Sequence, residues 1–223
     1  MKNPFSEFKN FRPKKREIPL DKIIASKEKV MQSLIKAYDK LVEQEAKELV
    51  WLVSYHSVIR AYASAEKTIK NMEYGVEDIE EFLFEIEDSS KLPYPIMGLS
   101  GLYVSALCNR AKEREIVLDL QNRNITLHLL GYRLPKGKKL IVYGDLGDFT
   151  GIGLNGGEIW VEGNAGNWTG AGMRMGKMVI KKSVGRRTGE DMVGGEIHVE
   201  GKILGVGNVR YGRIYEKGGI VSP

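Results

Sequence analysis

The sequence predicts an α+β protein in two parts, an α-helical N-terminal domain followed by a short parallel β-helix. Three observations carry that expectation. Residues 144–201 repeat with a fixed period of 19 residues. Inside each repeat the apolar side chains alternate with period 2, the pattern of a strand. Ahead of the repeats, residues 26–72 set apolar side chains at three-, four- and eight-residue steps, the pattern of a helix. The organisation read from these signals is a basic arm over 1–25, a helical domain over 26–114, a β-helix over 115–201 and a C-terminal cap over 202–223.

The arm carries Lys9, Arg12, Lys14, Lys15 and Arg16 beside Phe5, Phe8 and Phe11, and Pro13 and Pro19 discourage a helix through it. Ser26 can cap the helix that follows. Val30, Leu34, Ala37, Leu41, Leu49 and Val53 share one face of it. Unbroken to residue 72 it would be about 70 Å long. Either it breaks near residues 54–57 or it pairs with a second copy. A short acidic helix is expected over 76–88, with Ile79, Phe82, Leu83 and Ile86 inward and its carboxylates on a solvated face. Pro93 and Pro95 mark a break. A last helix over 97–112 turns Leu99, Leu102, Leu107 and Ala111 to the core, with Cys108 packed as a small apolar side chain.

Segments 115–120 and 124–130 read as strands of an irregular opening coil or cap, and 132–139 as the turn into the first regular coil. The repeats follow as GDLGDFTGIGLNGGEIWVE, GNAGNWTGAGMRMGKMVIK and KSVGRRTGEDMVGGEIHVE. Glycine recurs at Gly147, Gly166 and Gly185, at Gly151, Gly170 and Gly189, and at Gly157, Gly176 and Gly195. Such a unit cannot bury its apolar face alone, so it stacks on the next. Coils about 4.8 Å apart would align Leu140, Ile159, Met178 and Ile197 in one inward column. Val142, Val161, Ile180 and Val199 form a second. Leu146, Ala165 and Val184, and Leu154, Met173 and Met192, make two more. The glycines are assigned to corners where the chain turns sharply. Beyond residue 201 the period is lost, and 202–223 reads as a cap on the open end.

Composition narrows the function classes. At 223 residues, 42% hydrophobic and 28% charged, the chain can bury a substantial core. One cysteine excludes an intramolecular disulfide framework and suits a reducing cytoplasm. No apolar run reaches membrane-spanning length, since His56 and Arg60 interrupt the nearest one. Net charge is +5, with the excess in the repeat half, too diffuse for a nucleic-acid groove.

No residue pattern points to catalysis, a cofactor or a metal. Gly151, Gly153 and Gly156 spell GxGxxG, yet a strand follows where a dinucleotide site needs a helix. His56, His128 and His198 lack ligand spacing, and Asp145, Asp148 and Asp191 lack the calcium-repeat pattern. Ser183 has no nearby base. One outer row does stand out. Phe149, Trp168 and Arg187 stack in successive coils, with Trp160, Arg174 and Arg186 close by in the repeat. Exposed aromatics with arginines suit a protein interface; the alternative is a ladder covered by the helical half of the same chain.

The run GDxGDxTGxGxxGGxIxVxGxAGxxTGxGM over 144–173 resembles the GXGXG domain family. That family includes the C-terminal domain of the glutamate synthase large subunit and the C subunit of formylmethanofuran dehydrogenase. The likeness covers about 125–201. It implies a right-handed β-helix with no catalytic residue or cofactor of its own, which holds catalytic domains or subunits in place. A complete glutamate synthase would add an amidotransferase cysteine right after the initiator Met and an FMN and iron–sulfur domain. This chain has Lys2 there and only Cys108. The expected function is a structural or assembly subunit of an oxidoreductase-like complex, with other protein subunits as partners. The alternatives are a homo-oligomer joined through the long helix and a β-helix protein acting on glycans.

Overall fold

The computed structural model describes residues 19–46, 55–87 and 98–222. Helices come first: α1 (Leu20–Ala46), α2 (Tyr55–Ile69), α3 (Val76–Glu87) and α4 (Leu99–Arg110). Strands follow: β1 (Glu115–Asp119), β2 (Lys139–Tyr143), β3 (Asn155–Val161), β4 (Met175–Ile180), β5 (Val193–Val199), β6 (Tyr211–Glu216) and β7 (Gly219–Ile220). The architecture is a helical part followed by a parallel β-solenoid.

The helical pattern over 26–72 resolves into α1 and α2, with Leu49 and Val53 outside the described residues. α1 begins at Leu20, inside the segment read as an arm, so Ser26 is not its cap. Pro19 sets the start: its carbonyl accepts the Lys22 N–H at 2.9 Å, and its fixed φ suits the edge of a helix. α1 buries Leu34, Ala37, Tyr38 and Leu41 against its neighbours. α3 turns Ile79, Phe82, Leu83 and Ile86 inward as its spacing requires.

α4 is the centre of this half. It is buried nearly all round, on Tyr103, Val104 and Cys108 as well as the expected Leu99, Leu102 and Leu107. Tyr103 donates its hydroxyl proton to the Leu34 carbonyl at 2.9 Å and joins Tyr38 and Phe82 in an aromatic cluster with centroids 5.2–5.6 Å apart. Burial pushes the Cys108 thiol up to about 12, which keeps it unreactive.

The same helix fastens the two halves together. Gly101 lets α4 lie against the His128 carbonyl, which any Cβ would strike. Ser105 Oγ accepts the Gly131 N–H at 2.9 Å and lies 3.2 Å from the Leu129 carbonyl. Asn109 reaches the Tyr132 carbonyl at 3.0 Å. Lys138 donates from the solenoid to the Ala111 and Glu113 carbonyls just beyond the end of α4. Each bond ties the helical domain to the first turn of the solenoid.

Strands β1 to β6 pair in parallel in chain order. Lys139 pairs with Glu158, Glu158 with Lys177 and Lys177 with Glu196, the 19-residue period. The inward columns lie where that period puts them: Leu140, Ile159, Met178 and Ile197 are fully buried, and so are Leu154, Met173 and Met192. The column extends further at both ends. Ile116 and Leu118 of β1 pair with Leu140 and Val142, so the opening segment is a regular rung. β6 adds a rung inside the segment read only as a cap, with Ile214 beneath Ile197. β7 then folds back antiparallel as the cap itself. Residues 124–130 are not a strand, which corrects the reading above.

Candidate functional site

Below the strand, each coil passes through two polar turns and an αL corner. The turns are held by side chains that bond from one coil to the next. Asp145 accepts the Asn164 N–H at 2.8 Å, and Asn164 Oδ1 accepts the Ser183 N–H at 3.1 Å. Ser183 Oγ then accepts the Lys202 N–H at 3.0 Å. A parallel series runs from His128 Nδ1 to the Asp148 N–H (3.0 Å), from Asp148 to the Asn167 N–H (2.7 Å) and from Asn167 to the Arg186 N–H (2.8 Å). The backbone N–H and side-chain amide of Asn164 hold the Asp145 carboxyl below its ordinary range.

These series assign roles to residues that had none in the sequence. Asp145, Asp148, Ser183 and His128 align successive coils. Thr150, Thr169 and Thr188 are buried and donate to the carbonyls of Gly147, Gly166 and Gly185 at 2.8–3.2 Å. Among the described residues no group of three potential metal ligands comes together.

The glycine rows occupy three places in the coil. Gly147, Gly166 and Gly185 sit where one coil rides on the next: a Cβ on Gly166 would lie 2.6 Å from the Asp148 backbone nitrogen. Gly151, Gly170 and Gly189 lie in the corner at φ 67–70°, the left-handed region. Gly157, Gly176 and Gly195 start the outer strand, where bulges between β3 and β4 and between β5 and β6 shift the register.

The corner holds the aromatic and arginine row. Phe149, Trp168 and Arg187 occupy one position in successive coils, at φ 60°, 54° and 57°. For side chains this large the left-handed region costs about 1 kcal/mol or more each. Phe149 stacks on Trp168 with centroids 5.0 Å apart and planes 8° from parallel. The Arg187 guanidinium stands 5.9 Å from the Trp168 ring and 3.5 Å from Glu190. The preceding member, Leu129 at φ 61°, is fully buried beside α4, whereas Phe149 and Trp168 are half-buried and Arg187 is exposed. The ladder thus emerges from under the helical domain into solvent. Cover by the helical half thus applies at the Leu129 end, while the Arg187 end is exposed.

A groove of about 470 Å³ lies beside Phe149, bounded by Val58 of α2, Arg133, Arg174, Asp191 and Arg210. Arg174 therefore belongs with the ladder. Arg186 is exposed next to Arg187, its carbonyl accepting the Trp168 N–H at 2.8 Å. Trp160 does not join this cluster. It stands on the outer face of β3, with Lys139 and Lys177 nitrogens 5.6 and 5.9 Å from its ring. His198 shares that strand face, stacked on Tyr215 at 4.3 Å and 3.0 Å from Glu196 Oε2. That hydrogen bond lowers the Glu196 carboxyl below its ordinary range.

Gly151, Gly153 and Gly156 lead into β3, so no helix N-terminus stands where a pyrophosphate would need one. No helix among the described residues is long and apolar enough to cross a membrane. No protein-family model, curated protein or solved structure matches the chain.

Proposed function

We propose that the chain is a structural subunit of the GXGXG kind, whose solenoid corner docks a catalytic subunit of an oxidoreductase-like complex in the cytoplasm. One observation carries the reading. Three consecutive coils hold Phe149, Trp168 and Arg187 in a backbone region that glycine would occupy without strain, and leave them stacked, Phe149 and Trp168 half-buried and Arg187 exposed. Strain of this kind gathers at functional positions, and rigid aromatics with arginine are the side chains that anchor protein interfaces. The rest of the motif has structural work to do. Its glycines, threonines and acid or amide residues stack one coil on another.

The two alternatives have less behind them. α1 buries Leu34, Ala37 and Leu41 within its own chain, leaving that stripe no second copy to meet. A glycan-cleaving groove needs paired acids, and the row Glu158, Lys177, Glu196 alternates in sign instead.

The test is affinity capture of the tagged full chain from its native cells. Flavin, iron–sulfur or molybdenum/tungsten subunits are expected in fixed proportion. Trp168→Gly should abolish their capture while changing folding stability by less than about 1 kcal/mol, since relief of strain offsets the lost stacking. Turnover by the isolated chain, or recovery of the chain with no other subunit, overturns the proposal.

A further inference from the structure

The outer face of the six parallel strands carries three rows of side chains, because residues two apart on a strand share a face. The first row reads Glu115, Lys139, Glu158, Lys177, Glu196, Arg213 across successive paired rungs. Its charge alternates without a break. The middle row reads Val117, Ile141, Trp160, Val179, His198, Tyr215, apolar or aromatic throughout. In the third row Glu162, Lys181 and Glu200 alternate again, with Lys181 bonded to Glu200 at 2.6 Å.

Alternation has an obvious role within one chain. In-register parallel strands would otherwise set like charges about 4.8 Å apart, and Lys139 does bond Glu115 at 2.9 Å. It also has a consequence between chains. Consider a two-fold axis parallel to the strands, passing between β3 and β4. It lays a second copy face to face with the rungs in reverse order. Glu115 then meets Arg213, Lys139 meets Glu196 and Glu158 meets Lys177, each pair occurring twice. Glu162 meets Lys181 in the third row. In the middle row Trp160 meets Val179 and Ile141 meets His198. A two-fold along the solenoid axis fails, since it sets Glu158 against Glu162 and Lys177 against Lys181.

We infer that this strand face binds a second copy of the same chain, antiparallel along the solenoid axis, as a two-fold dimer. Complementary charge flanks an apolar centre, the arrangement of a specific interface. The helical domains, fastened to the first turn of each solenoid, come to lie at opposite ends. Six rungs span about 24 Å and five residues about 16 Å, a footprint of about 400 Å² on each copy, which makes this a weak, transient interface held by its charge pairing. Monomer and dimer should therefore exchange at accessible concentrations. The surface is separate from the Phe149–Trp168–Arg187 corner, so Trp168→Gly leaves self-association intact and the two proposals fail independently.

The experiment is sedimentation of the full chain over a wide concentration range, with two charge reversals. Lys139→Glu and Glu196→Lys should each weaken self-association at least about tenfold. An equimolar mixture should restore it, because the introduced glutamate of one copy then faces the introduced lysine of the other, while the native Glu196 of the first faces the native Lys139 of the second. A wild-type chain that stays monomeric overturns the inference. So does a dimer indifferent to both reversals, or a mixture of two folded variants that does not recover. Cross-linking reads the same geometry without altering charge. A chain with both Ile141→Cys and His198→Cys has its two thiols about 14 Å apart within one copy, too far to bridge. Facing sheets lie about 10 Å apart, beyond the Cα reach of a disulfide, so the thiols are joined with a thiol-reactive linker about 8 Å long: cross-linked dimers from this chain, but not from Ile141→Cys alone, support the antiparallel pairing, and their absence overturns it.

Discussion

The strand side and the corner side of each coil follow opposite rules. On the strand side, beyond the bulged glycines Gly156, Gly176 and Gly195 that open each strand, the backbone is ordinary and specificity lies in side chains such as the alternating charges and the row through Trp160 and His198. On the corner side the backbone itself is the specialised part. Residues 149, 151 and 153 all have positive φ, as do 168, 170 and 172 in the next coil. The strand side can therefore change its surface chemistry freely while keeping its fold. The corner can change only where a side chain already stands.

The sharpest way to break this comparison is to place the same side chain on both sides. Gly166→Val should cost about 4 kcal/mol or more in urea unfolding, because its Cβ would press on the Gly147–Asp148 backbone, which cannot yield. Glu158→Val, exposed on the strand face, should stay within about 0.5 kcal/mol. Equal effects would show that the coil-to-coil contact leading into the corner is more plastic than its geometry implies. A smaller effect tests how the corner is held. Thr169→Val keeps the shape but removes the buried hydroxyl that donates to the Gly166 carbonyl at 2.8 Å, and should cost about 1 kcal/mol by the same assay.

The smallest effect is in acid. Asp145 is held below its ordinary range by the Asn164 N–H and side-chain amide. A depressed folded value means its stabilisation is complete above the unfolded value of about 4 and disappears as pH falls through the folded value. Thermal melts below about pH 4 should show a declining limb that Asp145→Asn flattens. An unchanged limb would assign the acid sensitivity to other carboxylates.

Much of the solenoid was legible because stacking in register converts a sequence period directly into spatial columns, as for Ile159, Met178 and Ile197. The ends were less so. β6 pairs Arg213 with Glu196 after a shorter coil, which erases the period while leaving the rung. Residues 124–130 alternate like a strand, yet Leu127 packs in a turn and Leu129 is in the left-handed region, so the same alternation arises without a ladder. The outer ladder at the corner was visible as Phe149, Trp168 and Arg187. Its strain was not, because only glycine advertises a positive φ in a sequence. The polar series was hidden for another reason: Asp145, Asn164 and Ser183 do one job with three residue types, and a search for identity at the period passes over them. In the helical half, Pro19 opened α1 earlier than Ser26 suggested, since a proline that ends one segment can equally begin a helix.

The alternating row on the strand face also makes the solenoid sensitive to parity. With six alternating rungs, reversing their order exchanges every positive charge for a negative one. A strictly alternating face of five or seven rungs would be unchanged by the same reversal, and two copies would meet like against like. Solenoids lengthen and shorten by whole repeats. On such a face, gaining one coil would turn attraction between copies into repulsion, and gaining two would restore it. The number of coils, read as odd or even, becomes a determinant of association.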